Sequence, residues 1–218
     1  MTNKIKIDIV SDVVCPWCII GYKHLEQAIS ELDLTNKIDI EWQPFELNPD
    51  MPPEGENLRA HSARKYGTTP EGSIKARANI TEQARKAGFE FAYYDDMKMV
   101  NTRAVHVLLE YAKQYNKQHD LKMRLFKAFF SDQRDISDQN VLHSILEEVG
   151  LDAQKALEQI DNPQKIKEVV NIESMWQQMG ISSVPTVVFN RTSAVNGAHP
   201  VETFKQILTE LVEEQMIR

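Results

Sequence analysis

Lys4-Ile5-Lys6-Ile7-Asp8-Ile9-Val10-Ser11-Asp12-Val13-Val14-Cys15-Pro16-Trp17-Cys18 is the stretch on which the reading of this chain turns. From Lys4 to Asp12 isoleucines alternate with polar residues, the period-two pattern of a strand. Downstream, Tyr22, Leu25, Ala28, Ile29 and Leu32 recur at helical spacing. Pro16 suits the first position of that helix, where its missing N–H would have had no intrahelical partner, so Cys15 falls at the N-cap. A sulfur there faces the free N–H groups of Trp17 and Cys18 and the positive end of the helix dipole, and both favour thiolate over thiol.

Cys18 lies one turn further on, on the same face of the helix. Cys15 and Cys18 are the only two cysteines in the chain. The spacing points to a dithiol/disulfide couple, with Cys15 as nucleophile and Cys18 as the thiol that resolves a mixed disulfide on it. Pro16, Trp17 and Asp12 are the neighbours that would tune the pair. A structural disulfide is disfavoured because closing so small a loop constrains the unfolded chain little. A zinc site ordinarily needs four ligands, and His24 and the remaining histidines show no paired ligand spacing, so no metal is expected. Two ordinary core cysteines are the remaining reading, since free cysteine is among the most buried residue types.

At 218 residues and 42% hydrophobic content the chain can hold one domain with an insertion or two small domains around a sizeable core. A formal net charge of −7, with no long block of Lys and Arg, argues against nucleic acid as a partner. No apolar run approaches the roughly 20 residues needed to cross a bilayer, and Met1-Thr2-Asn3-Lys4 leads into the first strand without a signal-type apolar core. The expectation is a cytoplasmic protein with no membrane partner, in a compartment where a Cys-x-x-Cys pair does transient redox chemistry.

A second strand is read from Ile38, Ile40 and Trp42, ending at Gln43-Pro44-Phe45; with the helix between, it makes a right-handed parallel βαβ unit. From Glu46 a proline-containing loop leads into a long stretch with almost no strand signal. Leu108, Tyr111, Ala112 and Tyr115 form one helical face, Val141, Leu142, Ile145, Leu146 and Val149 another, and Ile166, Val169, Val170 and Trp176 a third; Arg77 to Lys86 is read as helical too. Strand character returns at Thr186-Val187-Val188-Phe189, with Asn190-Arg191-Thr192 as a hairpin connection into Ser193-Ala194-Val195. A last helix enters through Pro200 with Phe204, Ile207, Leu208, Leu211 and Val212 on one face. The order is βαβ, a helical block, then ββα.

That order resembles a thioredoxin fold interrupted by a helical insertion, as in the DsbA family. More narrowly, Ser11 to Cys18, Gly21, Trp42-Gln43-Pro44-Phe45-Glu46-Leu47-Asn48-Pro49, Asn101-Thr102-Arg103-Ala104 with His106, and Val184-Pro185-Thr186 with Asn196-Gly197-Ala198-His199-Pro200 are similar to its FrnE-like branch. The resemblance covers nearly the whole chain. It implies an α/β fold in which residues 1–50 and 181–218 form a discontinuous thioredoxin-like domain and residues 51–180 an all-helical insertion domain. It also implies a cis Val184-Pro185 bond beside the dithiol, with both residues contacting substrate. One departure stands out: where some thioredoxin-like oxidoreductases carry a buried acid six positions before the nucleophile, this chain has Ile9. Proton transfer would then fall to Asp12, Glu46 or water, unless Asp12 only caps local backbone. Asn101, Arg103, His106 and Glu46 are candidate cleft-lining residues; for Asn101, Arg103 and His106, helix capping and packing is the competing reading.

The leading function is a thiol-disulfide oxidoreductase or isomerase acting on disulfide-containing proteins or small thiols. It requires no cofactor, takes glutathione as a possible co-substrate, and is recharged by a cellular reductant such as glutathione or thioredoxin. Monomer and homodimer are both open. The main rival comes from relatives on the same fold, the kappa-class glutathione transferases and 2-hydroxychromene-2-carboxylate isomerases, which bind glutathione with a Ser near the helix start. A glutathione-dependent isomerase needs no resolving thiol, so Cys18 favours redox chemistry. A third possibility is a binding or regulatory protein whose dithiol oxidises without passing its disulfide on.

Overall fold

The computed structural model describes residues 4–217, and side chains as far as residue 214; Met1 to Asn3 and Arg218 of the expected thioredoxin-like domain lie outside them. Strand β1 (Ile5–Ser11) runs into helix α1 (Pro16–Glu31), and β2 (Ile38–Pro44) returns parallel to β1, with Ile5 opposite Ile38 and Ile9 opposite Trp42. After the helical region, β5 (Thr186–Phe189) pairs antiparallel with the other side of β1, Ile7 opposite Phe189, and β6 (Ser193–Asn196) closes the sheet in the order β2-β1-β5-β6. The β5–β6 turn places Asn190 and Arg191 at φ 50° and 58°. These left-handed values match the twist of a tight hairpin, and Asn is among the residues that tolerate them.

The alternation in β1 sorts its side chains between two layers. Ile5, Ile7 and Ile9 join Leu25 and Ala28 of α1, and Phe204 and Leu208 of α9 (Val201–Ile217), in the main core. Val10 points the other way, into a smaller cluster with Val188 and Trp176. Asp8 is buried on that second side, where Gln43 Nε2 donates to it at 2.6 Å and Arg191 Nε at 3.2 Å, so its charge is paired and hydrogen-bonded as burial demands.

Between β2 and β5 run helices α2 (Leu58–Tyr66), α3 (Pro70–Lys86), α4 (Arg103–Lys113), α5 (Gln118–Phe130), α6 (Gln139–Glu148), α7 (Ala153–Leu157) and α8 (Pro163–Gln178). A two-residue ladder, β3 (Glu56–Asn57) with β4 (Lys98–Met99), lies among them, a pairing too short to leave a sequence signal. Three helical faces differ in detail from expectation. Tyr115 falls beyond the end of α4 and is exposed, and Val170 faces outward from α8 while Val169 and Trp176 are buried, so an apolar residue alone did not define the inner face. The helix expected from Arg77 begins earlier, at Pro70, with the Thr69 hydroxyl capping Gly72 N–H.

Helix α5 is fastened to the sheet by a side chain. Gln118 Oε1 accepts the Trp42 N–H at 3.0 Å and its Nε2 donates to the Trp42 carbonyl at 2.9 Å, completing the outer edge of β2 as a neighbouring strand would. Helix α1 is fastened by a missing side chain: a Cβ at Gly21 would sit 3.1 Å from the Ala198 Cα and 3.4 Å from the Pro185 Cγ. Gly21→Val is therefore expected to lower stability by about 1–3 kcal/mol through overpacking, measured by urea denaturation. An unchanged midpoint would mean that α1 and the Pro185 loop are not in such close contact.

Candidate functional site

Cys15 is the N-cap of α1, with φ −90° and ψ 112°, and Pro16 opens the helix. The backbone turn is tight: Cys15 N–H donates to the Asp12 carbonyl at 3.2 Å and Cys18 N–H to the Cys15 carbonyl at 3.1 Å. The expected contact between the Cys15 sulfur and the first-turn N–H groups is not made; its side chain makes no capping hydrogen bond. The thiol instead points across to the Val184 carbonyl at 3.9 Å, since a protonated sulfur is a weak donor in search of an acceptor. The Val184–Pro185 peptide bond is cis. Both cysteines are free thiols. Trp17 is 38% exposed whereas Cys18 is 0%, so the loop presents one face to solvent and hides the second sulfur. Burial, together with the adjacent Cys15, pushes the Cys18 thiol well above its ordinary value.

One residue beneath this pair escaped the sequence reading. Lys122, on α5, is 0% exposed. Its Nζ lies 5.2 Å from the centre of the Trp42 ring and 5.1 Å from that of Phe126, and donates a long 3.5 Å bond to the Ser11 carbonyl. Burial pulls its pKa down to about 8, against the opposing influence of Cys18, Asp12 and Cys15. The signal was there: Lys122 interrupts the stripe Leu121, Leu125, Phe126 and Phe129, all buried, and a lone charge on an apolar helix face needs an explanation. It stands one turn after Gln118, so the clamp on β2 also sets where the amine sits.

Asp12 is fully buried. Its Oδ2 accepts the Leu47 N–H at 2.8 Å, and its Oδ1 lies 3.4 Å from His106 Nε2, a charge contact without hydrogen-bond geometry. Burial works to raise this carboxyl, but His106, the Leu47 N–H and Lys122 outweigh it and hold the pKa below the ordinary value. A carboxylate so held is an anchor for the 45–47 loop and a counter-charge to Lys122. Glu46 pairs with Arg103 Nε at 2.8 Å. Glu173 of α8 is buried near them; burial first, then the charges of Glu46 and Asp12, push its pKa up to about 8. Asn101 ties loops together, accepting the Arg103 N–H at 3.0 Å and donating to the Pro49 carbonyl at 3.1 Å. Asn101, Arg103, His106 and Glu46, expected at the cleft, do not border the cavity beside Cys15; Arg103 bonds Glu46 and the Asn101 amide bonds the Pro49 carbonyl.

That cavity, of about 390 Å³, opens at Cys15, Pro16, Trp17 and Val184 and runs beneath α2 and α3. Leu58, Ile80, Phe129 and Phe130 supply apolar wall. Its polar lining includes His61, Thr68 and Arg77, none of which the sequence had singled out for function, together with Ser62, Tyr66, Ser73 and Tyr93. Among the described residues no group of three or more His, Cys, Asp or Glu side chains is placed to hold a metal ion, and no helix is long and apolar enough to cross a membrane.

A dithiol at the start of the first helix of a mixed sheet, met across a gap by a cis X-Pro loop, places the chain in a class: it belongs to the DSBA-like thioredoxin domain family, whose pattern matches residues 6–209. Members of this family are oxidoreductases and isomerases. The chain is 28% identical over 212 residues to the uncharacterized protein YwbO of Bacillus subtilis, a match spanning 96% of this chain and 98% of that protein. Among solved structures it superposes on a probable DsbA oxidoreductase of Streptomyces coelicolor, SCO1869, with a TM-score of 0.90 and 28% identity, covering 96% of this chain and 91% of that one. The cytosolic disulfide reductase DsbM of Pseudomonas aeruginosa, solved with glutathione, has a TM-score of 0.66 at 14% identity over 95% of this chain and 99% of that one, a likeness of fold.

Proposed function

We propose that the chain is a thiol-disulfide oxidoreductase in which Cys15 is the nucleophile, Cys18 the resolving thiol and Lys122 the group that moves the Cys18 proton. The observation that carries this reading is a fully buried Lys122 whose charge acts on Cys15 and on a fully buried Cys18, with Cys15 facing the carbonyl of the cis-proline loop. The Cys15 thiolate attacks a disulfide R–S–S–R, forming Cys15–S–S–R and releasing one thiolate. Cys18 must then lose a proton in a place where burial opposes its ionisation. Lys122, with a pKa of about 8, is neutral in a useful fraction of molecules near neutral pH and takes that proton. The resulting ammonium stabilises the thiolate that attacks Cys15, and the second R–S⁻ leaves. The enzyme emerges as the Cys15–Cys18 disulfide, two electrons having passed to the substrate; a thiol such as glutathione, or a thioredoxin, returns it to the dithiol.

Pro16 and Trp17 set the solvent-facing side of the pair, and Val184 and Pro185 align the substrate next to Cys15. Asp12 supports the ammonium form of Lys122. The proposed site of action is the cytoplasm. Equilibration of the chain with mixtures of glutathione and its disulfide, followed by alkylation and mass measurement, tests the reading. Both thiols are expected to disappear together in one two-electron transition. A midpoint above about −220 mV marks an oxidant or isomerase and one near about −270 mV a reductase. A chain that forms no Cys15–Cys18 disulfide at any ratio is not a dithiol oxidoreductase.

A further inference from the structure

The cavity beside Cys15 carries three buried polar atoms with no partner: His61 Nε2, Thr68 Oγ1 and Arg77 Nη2. Buried polar groups are almost always satisfied, so three orphans around one space call for an occupant. His61 is only 2% exposed. Its Nδ1 is engaged, 3.0 Å from a Glu56 carboxylate oxygen and 3.3 Å from Arg64 Nη2, whereas Nε2 has no partner. Arg77 stands over the Tyr93 ring at 5.7 Å, and no salt bridge to it is found among the described residues. Burial and the nearby Arg59 lower its pKa, outweighing Tyr93 and Asp95. Leu58, Ile80, Phe129 and Phe130 add hydrocarbon wall, and Ser62, Tyr66, Ser73 and Tyr93 also border the space. The volume of about 390 Å³ is that of a small-molecule site.

We infer that this cavity is the binding site of a small disulfide with an apolar body and a carboxylate, the carboxylate received by Arg77 and the sulfurs presented to Cys15. A guanidinium and a hydroxyl suit the oxygens of a carboxylate, while the hydrocarbon part of the wall suits the ligand's apolar body. His61 Nε2 hydrogen-bonds a polar group of the same ligand. This deepens the proposed Cys15 chemistry and rests on it: R–S–S–R accepts two electrons from the dithiol and leaves as two R–SH, their protons coming from Cys15 and Cys18.

The test compares two disulfides, anionic dithiobis(nitrobenzoate) and neutral dithiodipyridine, by stopped-flow absorbance of the released thiol. Wild type is expected to saturate with the anionic reagent, and naphthoate to compete with it. Arg77→Gln is expected to lower the ratio of the two specificity constants about 10- to 100-fold and to abolish competition by naphthoate, with partial recovery in Arg77→Lys. A ratio unchanged by Arg77→Gln, or an equal fall for both reagents, overturns the inference, and an unchanged unfolding midpoint excludes misfolding as the cause of any fall. Cys15→Ser separates the two levels: a wild-type reaction that survives this change sinks the proposed function, whereas its loss together with an unaltered Arg77→Gln ratio sinks only the ligand.

Discussion

Cys15→Ser is expected to bring disulfide transfer down to the uncatalysed background, while Cys18→Ser keeps the first step and stalls at the second. The asymmetry follows from where the sulfurs lie. Cys15 borders the cavity and the Val184 carbonyl, so an incoming disulfide can reach it. Cys18 has no exposure, and its pKa is raised by burial, so it is a poor first nucleophile but well placed for an internal attack. In Cys18→Ser, mixed with glutathione disulfide, one glutathionyl group should accumulate on Cys15 and persist until external thiol is added. Intact-mass spectrometry reads this directly. Turnover surviving in Cys15→Ser, or an adduct on Cys18 instead, would assign the roles the other way round.

Replacing Lys122 by Met is expected to make the protein more stable and much slower. In the unfolded chain this lysine keeps its proton up to 10.5, and in the fold only to about 8. Below pH 8 the folded state therefore carries the whole cost of a buried ammonium, of order 3 kcal/mol. Between pH 8 and 10.5 the unfolded chain binds more protons than the folded one, so wild-type stability rises with pH across that window. Lys122→Met removes this slope. At pH 7 it should gain about 1–3 kcal/mol, the lower figure reflecting Asp12's loss of a favourable charge. The resolving step loses its proton acceptor, and a slowing of about 10²- to 10⁴-fold is expected. Wild type should speed up as pH rises through about 8, and the variant should lack that inflection. Rapid-quench measurement of the mixed disulfide across pH 6–9 (about three units, wide enough to bracket the inflection) decides it. An unaltered profile in Lys122→Met would leave the lysine a structural curiosity.

How much of this was legible beforehand depended on whether a residue's task was local. The two strands flanking α1, the hairpin at Asn190-Arg191 and the N-cap position of Cys15 are all fixed by neighbours a few residues away, and period and turn chemistry revealed them. The helical block was legible as helix but not as function. Helix α2, Leu58–Tyr66, has hardly any apolar face, and its one buried residue is His61, so no periodicity pointed to it. Arg77 sits on a helix that is also polar on average, with only Ser73 and Ala84 buried. Lys122 was visible as a flaw in an apolar stripe, yet its meaning required knowing that α5 packs on β2 and brings the amine near Cys18, which is a fact of tertiary packing. For the same reason His106 and Glu46 were judged by their chemistry and assigned to a cleft, when Asp12 and Arg103 had already claimed them.

The Val184 carbonyl that Cys15 faces comes 169 residues later in the chain. During synthesis the two sulfurs therefore emerge long before the loop that completes their surroundings, by about ten to thirty seconds at ordinary translation speeds. For part of that interval the growing polypeptide also lacks Lys122. Until the last strands are made and β5 zips onto β1, Cys15 and Cys18 are two unassisted thiols on a half-built sheet. A ribosome-bound fragment ending before β5 cannot draw on the finished site, so competence for disulfide exchange arrives near the end of translation, in one step with the closing of the sheet.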